Sequence, residues 1–301
     1  MELKEIRRKI ESIGNIEDLT GALETLSALK MKKAQKVALE SRCFAQTIAK
    51  ILKKLKPVLE KKESIYLKEK RVKNSLVVIL TSDRGFCGSF NQNILRFAEK
   101  EIEKLEAVPA HRSALERKIH LFPVGKKGAA FLKKKGWDIK TCSPGLGEAV
   151  SLAEVKSISD FLIKSFQEDA FQRIYLIWAD FISALFQKPK LIRLLPLNRE
   201  SLDELLRLAP QDEEKEEEFV IEPSPEIILQ EVIPQLVEYL IYQCILENNA
   251  SEHSARMMAM KNASENAEKK LEILRLQYNK ARQEGITREV SEISSAKEIL
   301  E

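Results

Sequence analysis

The stretch ASEHSARMMAMKNA, residues 250–263, contains an acid, an imidazole, a hydroxyl and a guanidinium within the five residues 252–256. Such a group could suggest a catalytic cluster. However, consecutive residues of a helix point about 100° apart, so Glu252, His253 and Ser254 would not face one another. A metal site would need a second ligand, and no histidine or cysteine follows His253 at three or four residues. Alanines recur through the stretch, which predicts a close contact between helices rather than catalysis.

A C-terminal helix is predicted around this stretch, since no proline follows Pro234. Pro234 itself could occupy the first turn of that helix. Apolar and small residues then step by four and three, the spacing of a coiled-coil seam. The predicted seam residues are Ala267, Leu271, Leu274, Tyr278, Ala281 and Gly285, followed after a slip of one residue by Ile286, Val290, Ile293 and Lys297.

The N-terminal segment has a matching pattern, and residues 1–73 carry 19 Lys/Arg against 10 Asp/Glu. This basic arm could face acidic partners, a membrane surface or nucleic acid. Two half-seams at opposite ends of one chain predict an antiparallel pair, because a compact insert would bring the chain back. The predicted N-terminal seam residues are Leu3, Ile6, Ile10, Ile13, Leu19, Leu23, Leu26, Val37, Ser41, Phe44, Ile48, Ile51 and Leu55, before Pro57.

The central part of the chain alternates two kinds of pattern. Four apolar, β-rich runs predict strands, and helical patterns lie between them. This order favours a mainly parallel sheet with helices on its faces, in a Rossmann-like α/β domain. The predicted strands are 75–80, 119–124, 173–181 and 190–197, and the predicted helices are 89–105, 126–135 and 152–168.

These patterns divide the chain into four predicted parts. The N-terminal coiled-coil helix covers 1–73, the α/β domain 74–200, an acidic linker and foot loop 201–225, and the C-terminal coiled-coil helix 226–301. The run DEEKEEE at 212–218 is predicted to be a solvated loop.

Composition narrows the possible classes of protein. No run approaches the roughly 20 apolar residues of a membrane span, and the first residues lack the apolar core of a signal peptide. We therefore expect a cytoplasmic protein. The four cysteines show no regular spacing, so zinc binding and a disulfide framework are not indicated, and buried or unreactive thiols are expected.

The segment TSDRGFCGSFNQN, residues 81–93, follows the first predicted strand and enters a helix. Gly85 and Gly88 could expose backbone N–H groups to a phosphate, but the segment matches neither GxGxxG nor a P-loop. The favoured interpretation is a strand-to-helix turn capped by Asp83 or Ser89. Cys87 could act as a nucleophile, but no histidine lies near it in sequence, which favours an unreactive thiol.

Three segments resemble one known family, the gamma subunits of F-type ATP synthases. Residues 250–267 with 276–293 resemble its C-terminal signature, and TSDRGFCGSFNQNI (81–94) resembles its central motif. Residues 3–23 and 31–35 resemble its N-terminal helix. Order and separation agree along essentially the whole chain, and residues 105–120 and 200–218 are the least similar.

The resemblance implies a central-stalk rotor subunit of a proton-translocating ATP synthase. Its coiled coil would stand inside a hexamer of three alpha and three beta subunits. Its α/β domain, with the epsilon subunit, would sit on the ring of c subunits. Catalysis and nucleotide binding would belong to alpha and beta, so no cofactor, metal or catalytic residue is expected here. The chain would lie on the cytoplasmic face of a bacterial plasma membrane as a peripheral protein.

The resemblance also implies contact residues. Asn279, Arg282 and Gln283 match positions that meet the catch loops of beta, where Arg282 could bind acidic groups. Two further sets are implied as basic faces and as contacts of the foot with the c-ring. The basic set is Arg7, Arg8, Lys9, Lys30, Lys32 and Lys33, and the foot set is Phe219, Ile221 and Glu222.

Two other functions remain open at this stage. A coiled-coil arm protein could bind nucleic acid through residues 1–73, with strongly salt-dependent affinity. A nucleotide-dependent enzyme could use Gly85–Gly88. Neither alternative explains two arms with matching seams.

Overall fold

The computed structural model of the chain describes residues 3–60, 65–107, 118–137, 139, 142–143, 146, 150, 152–197 and 225–300. Within these ranges, the side chains of 39, 41–60, 225–229 and 295–300 are outside the description. The predicted acidic linker lies almost wholly outside the described residues. The chain divides into two compact units, a helical unit of Met1–Ala28 with Arg256–Glu301 and an α/β unit of Leu29–Ala255.

The described part of the chain contains five helices and four strands. Two of the helices are very long and belong partly to each unit. In chain order the elements are α1 (Leu3–Glu60), β1 (Asn74–Leu80), α2 (Phe90–Ala107), β2 (Lys118–Val124), α3 (Lys126–Lys134), α4 (Leu152–Gln167), β3 (Arg173–Phe181), β4 (Gln187–Leu195) and α5 (Pro225–Leu300). The predicted combination of long terminal helices and a central α/β sheet is confirmed.

The sheet of the α/β unit has the order β2-β1-β3-β4. β1 is parallel to β2 and to β3, whereas β3 and β4 form an antiparallel hairpin. Three of the four strands are therefore parallel, as the alternation of strands and helices predicts.

Both faces of this sheet are buried, which explains why its strands are continuous apolar runs. Along β1, Leu76 and Val78 join one core with α4 and the first part of α5. The intervening Val77 and Ile79 join a second core with α2 and α3. Because side chains along a strand point alternately to its two faces, successive residues of β1 lie in two different cores.

The seam of the helical unit differs from the prediction in its middle. Leu19 is 60% exposed and Leu26 is 45% exposed, so their assignment to the seam is wrong. Thr20 and Ser27 are buried instead. A coiled coil keeps the 3.5-residue phase that begins at Leu3, and that phase reaches Thr20 and Ser27 although their neighbours are more apolar.

Thr20 and Ser27 can be buried at low cost because their hydroxyls bond to their own helix. Thr20 Oγ1 donates to the carbonyl of Ile16 at 2.9 Å, and Ser27 Oγ donates to that of Leu23 at 2.6 Å. A buried hydroxyl with such a partner avoids most of the desolvation penalty.

The C-terminal half of the seam agrees with the prediction as far as Gly285. Leu271 and Leu274 are buried, and Leu3 packs 3.8 Å from the position that a Cβ of Gly285 would occupy. Leu3 is the first described residue of α1, and it lies beside Gly285. Ile286, Val290 and Ile293 are exposed, and their predicted place in a buried seam is wrong; the Lys297 side chain lies outside the described residues.

Two predictions about prolines are also corrected. Pro234 lies inside α5, because the helix begins earlier, at Pro225. Pro225 therefore takes the first helical position, where a missing N–H costs nothing. Helix α1 does not end at Pro57 but continues to Glu60.

Candidate interaction surfaces

Two serines of residues 250–263 attach helix α5 to the β3–β4 hairpin. Ser251 Oγ donates to the carbonyl of Ala179 at 3.0 Å. Ser254 Oγ donates to the carbonyl of Ala184 and accepts from Gln187 Nε2 at 3.4 Å. Ser254 is thus engaged with the hairpin turn, which supports the mechanical interpretation of this stretch. Among the described residues, no group of three or more acidic, histidine or cysteine side chains could hold a metal ion.

One helical turn earlier, α5 makes two more polar contacts with β3. The indole Nε1 of Trp178 donates to Glu247 Oε2 at 2.9 Å, and the backbone N–H of Ala179 donates to Asn248 Oδ1 at 3.2 Å. Burial raises the pKa of Glu247; the Trp178 hydrogen bond opposes this rise and the nearby Asp180 carboxylate adds to it. Sequence reasoning missed this contact, since no motif marks it.

The segment after β1 forms a tightly bonded turn. Asn91 Oδ1 accepts the backbone N–H of Ser82 at 3.0 Å, and Asn91 Nδ2 donates to Ser82 Oγ at 2.7 Å. Gly88 adopts a φ of 56°, a left-handed conformation that glycine tolerates best. Asp83 accepts from the backbone N–H of Lys126 at 2.8 Å, so it also binds the first turn of α3.

Cys87 lies inside this turn and is only 3% exposed. Its sulfur is 3.3 Å from Asn91 Nδ2 and 3.8 Å from Ser82 Oγ. These contacts are with a neutral amide and a hydroxyl, which favours the predicted unreactive thiol. Cys244 is also buried, Cys142 is exposed, and the side chain of Cys43 lies outside the described residues.

An ionic cluster that sequence reasoning missed ties the segment before β1 to the sheet. Glu69 pairs with Arg173 at 3.2 Å and with Arg193 at 2.9 Å. Burial alone would raise the pKa of Glu69, but the guanidiniums of Arg193 and Arg173 outweigh it and lower that pKa. Because these residues are about 100 positions apart or more, only the fold brings them together.

Asn279, Arg282 and Gln283 are all exposed on one face of α5 in the helical unit. Helical spacing places this face about 120° from the seam residues Tyr278, Ala281 and Gly285. Exposed apolar side chains lie on the same side, among them Leu276 at 71% and Ile286 at 53%. The face is therefore accessible and mixes polar with apolar groups.

The basic residues are also accessible. Exposed side chains are found at Arg7, Arg8, Lys9, Lys32 and Lys33, and the Lys30 side chain is partly buried.

Phe219, Ile221 and Glu222, predicted as foot contacts, lie outside the described residues. Among the helices of the described ranges, none combines the length and the apolar content of a membrane span.

Comparison with known proteins gives matches over nearly the whole chain. A family model described as ATP synthase matches residues 2–300. The ATP synthase gamma chain of Pelotomaculum thermopropionicum is 34% identical over 302 residues, which cover 99% of each chain. That of Chloroflexus aurantiacus is 34% identical over 295 residues, covering 97% of this chain and 96% of its own.

Solved structures give the same picture of the fold. A chain in the central stalk and c-ring of the Tetrahymena thermophila mitochondrial ATP synthase is 27% identical, with a TM-score of 0.57, and the match covers 82% of this chain and 99% of that one. A chain of the Euglena gracilis mitochondrial enzyme has a TM-score of 0.64 at 20% identity, covering 99% and 94% of the two chains. At that identity the likeness shows a shared fold.

Proposed function

Because the chain belongs to the ATP synthase gamma chain family, we propose that it is the central-stalk rotor subunit of a bacterial, proton-translocating ATP synthase. In this role it couples rotation of the c-ring to ATP synthesis in a hexamer of alpha and beta subunits, and it influences the ATPase activity of that hexamer. It binds no nucleotide and catalyses no reaction itself.

The match of residues 2–300 to one family carries this proposal. The helical unit supports it physically. The seam residues up to Gly285 pack against each other within the unit. On a second face of α5, Asn279, Arg282 and Gln283 are exposed beside apolar side chains. We assign this face to the beta catch loops, where Arg282 makes charge-assisted hydrogen bonds with acidic groups.

The other partners follow from the same assignment. The exposed basic residues of α1 face the surrounding subunits, and Phe219, Ile221 and Glu222 contact the c-ring. The epsilon subunit binds beside the α/β unit. The chain is held at the cytoplasmic face of the membrane through this complex.

The test is reconstitution of the purified chain with alpha and beta subunits of the same enzyme. We expect a stable complex with ATPase activity and no ATP hydrolysis by the folded chain alone. Hydrolysis by the chain alone, or failure to assemble with alpha and beta, would refute the proposal.

A titration with DNA distinguishes the rotor function from the alternative, a nucleic-acid-binding protein. Nothing in the comparisons supports nucleic-acid binding through residues 1–73. Such binding would appear as affinity that falls steeply with salt, and we expect none at physiological salt.

A further inference from the structure

Four side chains on one face of α5 bind the end of β3 and the turn that follows it. Glu247 and Asn248 contact Trp178 and Ala179, as described above. The remaining two are Ser251, which bonds to the carbonyl of Ala179, and Ser254, which bonds to that of Ala184. Their spacing of one, three and three residues aligns them along roughly two turns of the helix.

The bonds of Asn248 and Ser251 occupy an edge of β3 that no strand within the described ranges covers. The pairing of β1 with β3 ends at Ile79 and Ile177, whereas β3 continues to Phe181. Ala179 therefore has a backbone N–H and a carbonyl beyond the reach of β1, and side chains of α5 bind both. Here the helix takes the place of a strand partner.

Apolar packing and hydrogen bonding resist different motions of this helix. Ile241 and Ile245 are buried in the core beneath the sheet, which opposes separation of α5 from β3. Apolar contact is not directional, so by itself it opposes rotation of a helix about its own axis weakly. Hydrogen bonds lose strength when their angle changes, and they define the rotational position.

Glu247 differs from the other three members of this contact. It is the ionisable one, it bonds to a side chain of β3 rather than to backbone, and Gln243 Nε2 donates to its second oxygen at 3.4 Å. The Asp180–Lys190 ion pair, with 2.8 Å between oxygen and nitrogen, spans β3 and β4 beside it. With one donor to each of its two oxygens, the partly buried carboxyl group of Glu247 is held in one orientation, so its link to Trp178 is directional.

We propose that Glu247 is a positioning residue for torque transmission: its hydrogen bond with Trp178 locks the rotational position of α5 against the sheet. This inference rests on the proposed function. The same helix continues to Arg282 and beyond, so a slip of α5 against β3 would dissipate torque before it reached the face proposed to contact beta. The hydrogen bonds of Asn248, Ser251 and Ser254 help to hold the same rotational position.

The test uses complete ATP synthase reconstituted in lipid vesicles with variant chains. Two rates are measured on the same vesicles, namely ATP hydrolysis and ATP-driven proton uptake, the latter from the quenching of a pH-sensitive dye. Their ratio reports coupling, which a merely structural role of Glu247 would not change in assembled enzyme. The amount of assembled complex is measured first.

The variants are Glu247→Ala, Trp178→Phe, Glu247→Gln and the control Glu103→Ala, an exposed residue of α2. We expect Glu247→Ala and Trp178→Phe each to lower the ratio of proton uptake to hydrolysis about threefold, the order expected for loss of one buried hydrogen bond. The double variant should be no worse than either single one, because both remove the same bond. Glu247→Gln keeps an acceptor for the indole N–H and should retain coupling, as should the control.

Trp178→Phe keeps an apolar ring and removes the indole N–H donor. It therefore tests the role of this hydrogen bond even if Glu247→Ala impairs folding. An unchanged ratio in assembled Trp178→Phe enzyme would overturn the proposal. So would equal defects in Glu247→Gln and Glu247→Ala. A wild-type chain that gives no coupled activity with alpha, beta and the membrane sector would instead refute the rotor assignment.

Discussion

The side-chain carbonyl of Asn248 accepts the backbone N–H of Ala179 at 3.2 Å, at a point where β3 has passed the end of β1. Both residues are buried, so water cannot replace this bond. An asparagine of a helix thereby completes the hydrogen bonding of a sheet.

Loss of this bond should destabilise the chain. We expect Asn248→Ala to lower the free energy of unfolding by about 1–3 kcal/mol, because a buried backbone N–H loses its acceptor. Urea denaturation of the isolated chain measures this. Asn93→Ala removes an exposed amide and serves as the control. Equal midpoints for Asn248→Ala and the control would contradict the expectation.

The raised pKa of Glu247 makes stability depend on pH. Burial and Asp180 favour the protonated form in the folded chain. The resulting stabilisation is present below the unfolded pKa and is lost as pH rises through the folded pKa. Relative to Glu247→Gln, which does not titrate, the wild-type chain should therefore lose stability between acidic and neutral pH. Urea midpoints from pH 5 to pH 8 test this, and a pH-independent difference between the two proteins would argue against it.

Glu69 should show the opposite dependence, because its pKa is lowered by Arg193 and Arg173 despite partial burial. Its contribution is present above the unfolded pKa and is lost as pH falls through the folded pKa. We expect Glu69→Gln to cost about 1 kcal/mol at neutral pH, a modest value because solvent screens this half-exposed carboxylate. The cost should shrink in acid and in high salt. A cost that is unchanged at low pH would exclude this ionic origin.

The corrected seam can be tested with two alanine substitutions. Ile6 is 3% exposed and Leu19 is 60% exposed. Ile6→Ala should cost about 2–5 kcal/mol of unfolding free energy through the cavity it creates. Leu19→Ala should change it by no more than about 0.5 kcal/mol. Thermal unfolding of the two variants gives the comparison, and similar losses would place Leu19 back in the seam.

The proposed catch contact should affect activity without affecting folding. We expect Arg282→Ala in the reconstituted complex to lower ATPase activity about tenfold, the order for a lost hydrogen bond to a charged group. Gln283→Ala should act in the same direction. Both residues are exposed, so unfolding of the isolated chain should not change. Lys280→Ala is a matched exposed control. Full activity of both the Arg282 and Gln283 variants would rule out the catch assignment, though not membership of the family.

Much of the α/β unit could be predicted because buried strands leave a clear pattern. The run RIYLIWADF coincides with β3, and the other three runs overlap their strands. A short, β-rich apolar stretch bounded by polar residues is typical of a buried strand. It can be assigned as one without knowing which strands it pairs with.

The buried residues in the middle of the N-terminal seam could not be predicted from hydrophobicity. Leu19 and Leu26 are apolar and exposed, whereas Thr20 and Ser27 are polar and buried. The partner helix sets the phase of a coiled coil, and a sequence pattern records that phase only where apolar residues follow it. If the exposed leucines contact another subunit, their apolar character has a reason that lies outside this chain.

Local periodicity was enough to predict the element types, and short motifs were enough to identify the family, whose resemblance implies the candidate contact residues. Which distant groups meet could be learned only from the packed structure. Glu247 lies 69 residues from Trp178, and Glu69 lies 104 residues from Arg173. Such contacts form only when strands and helices pack, and their geometry depends on where one element ends against another. Residues 250–263 give a further example, since Ser251 and Ser254 bind Ala179 and Ala184 of the hairpin, which lie 72 and 70 residues away along the chain.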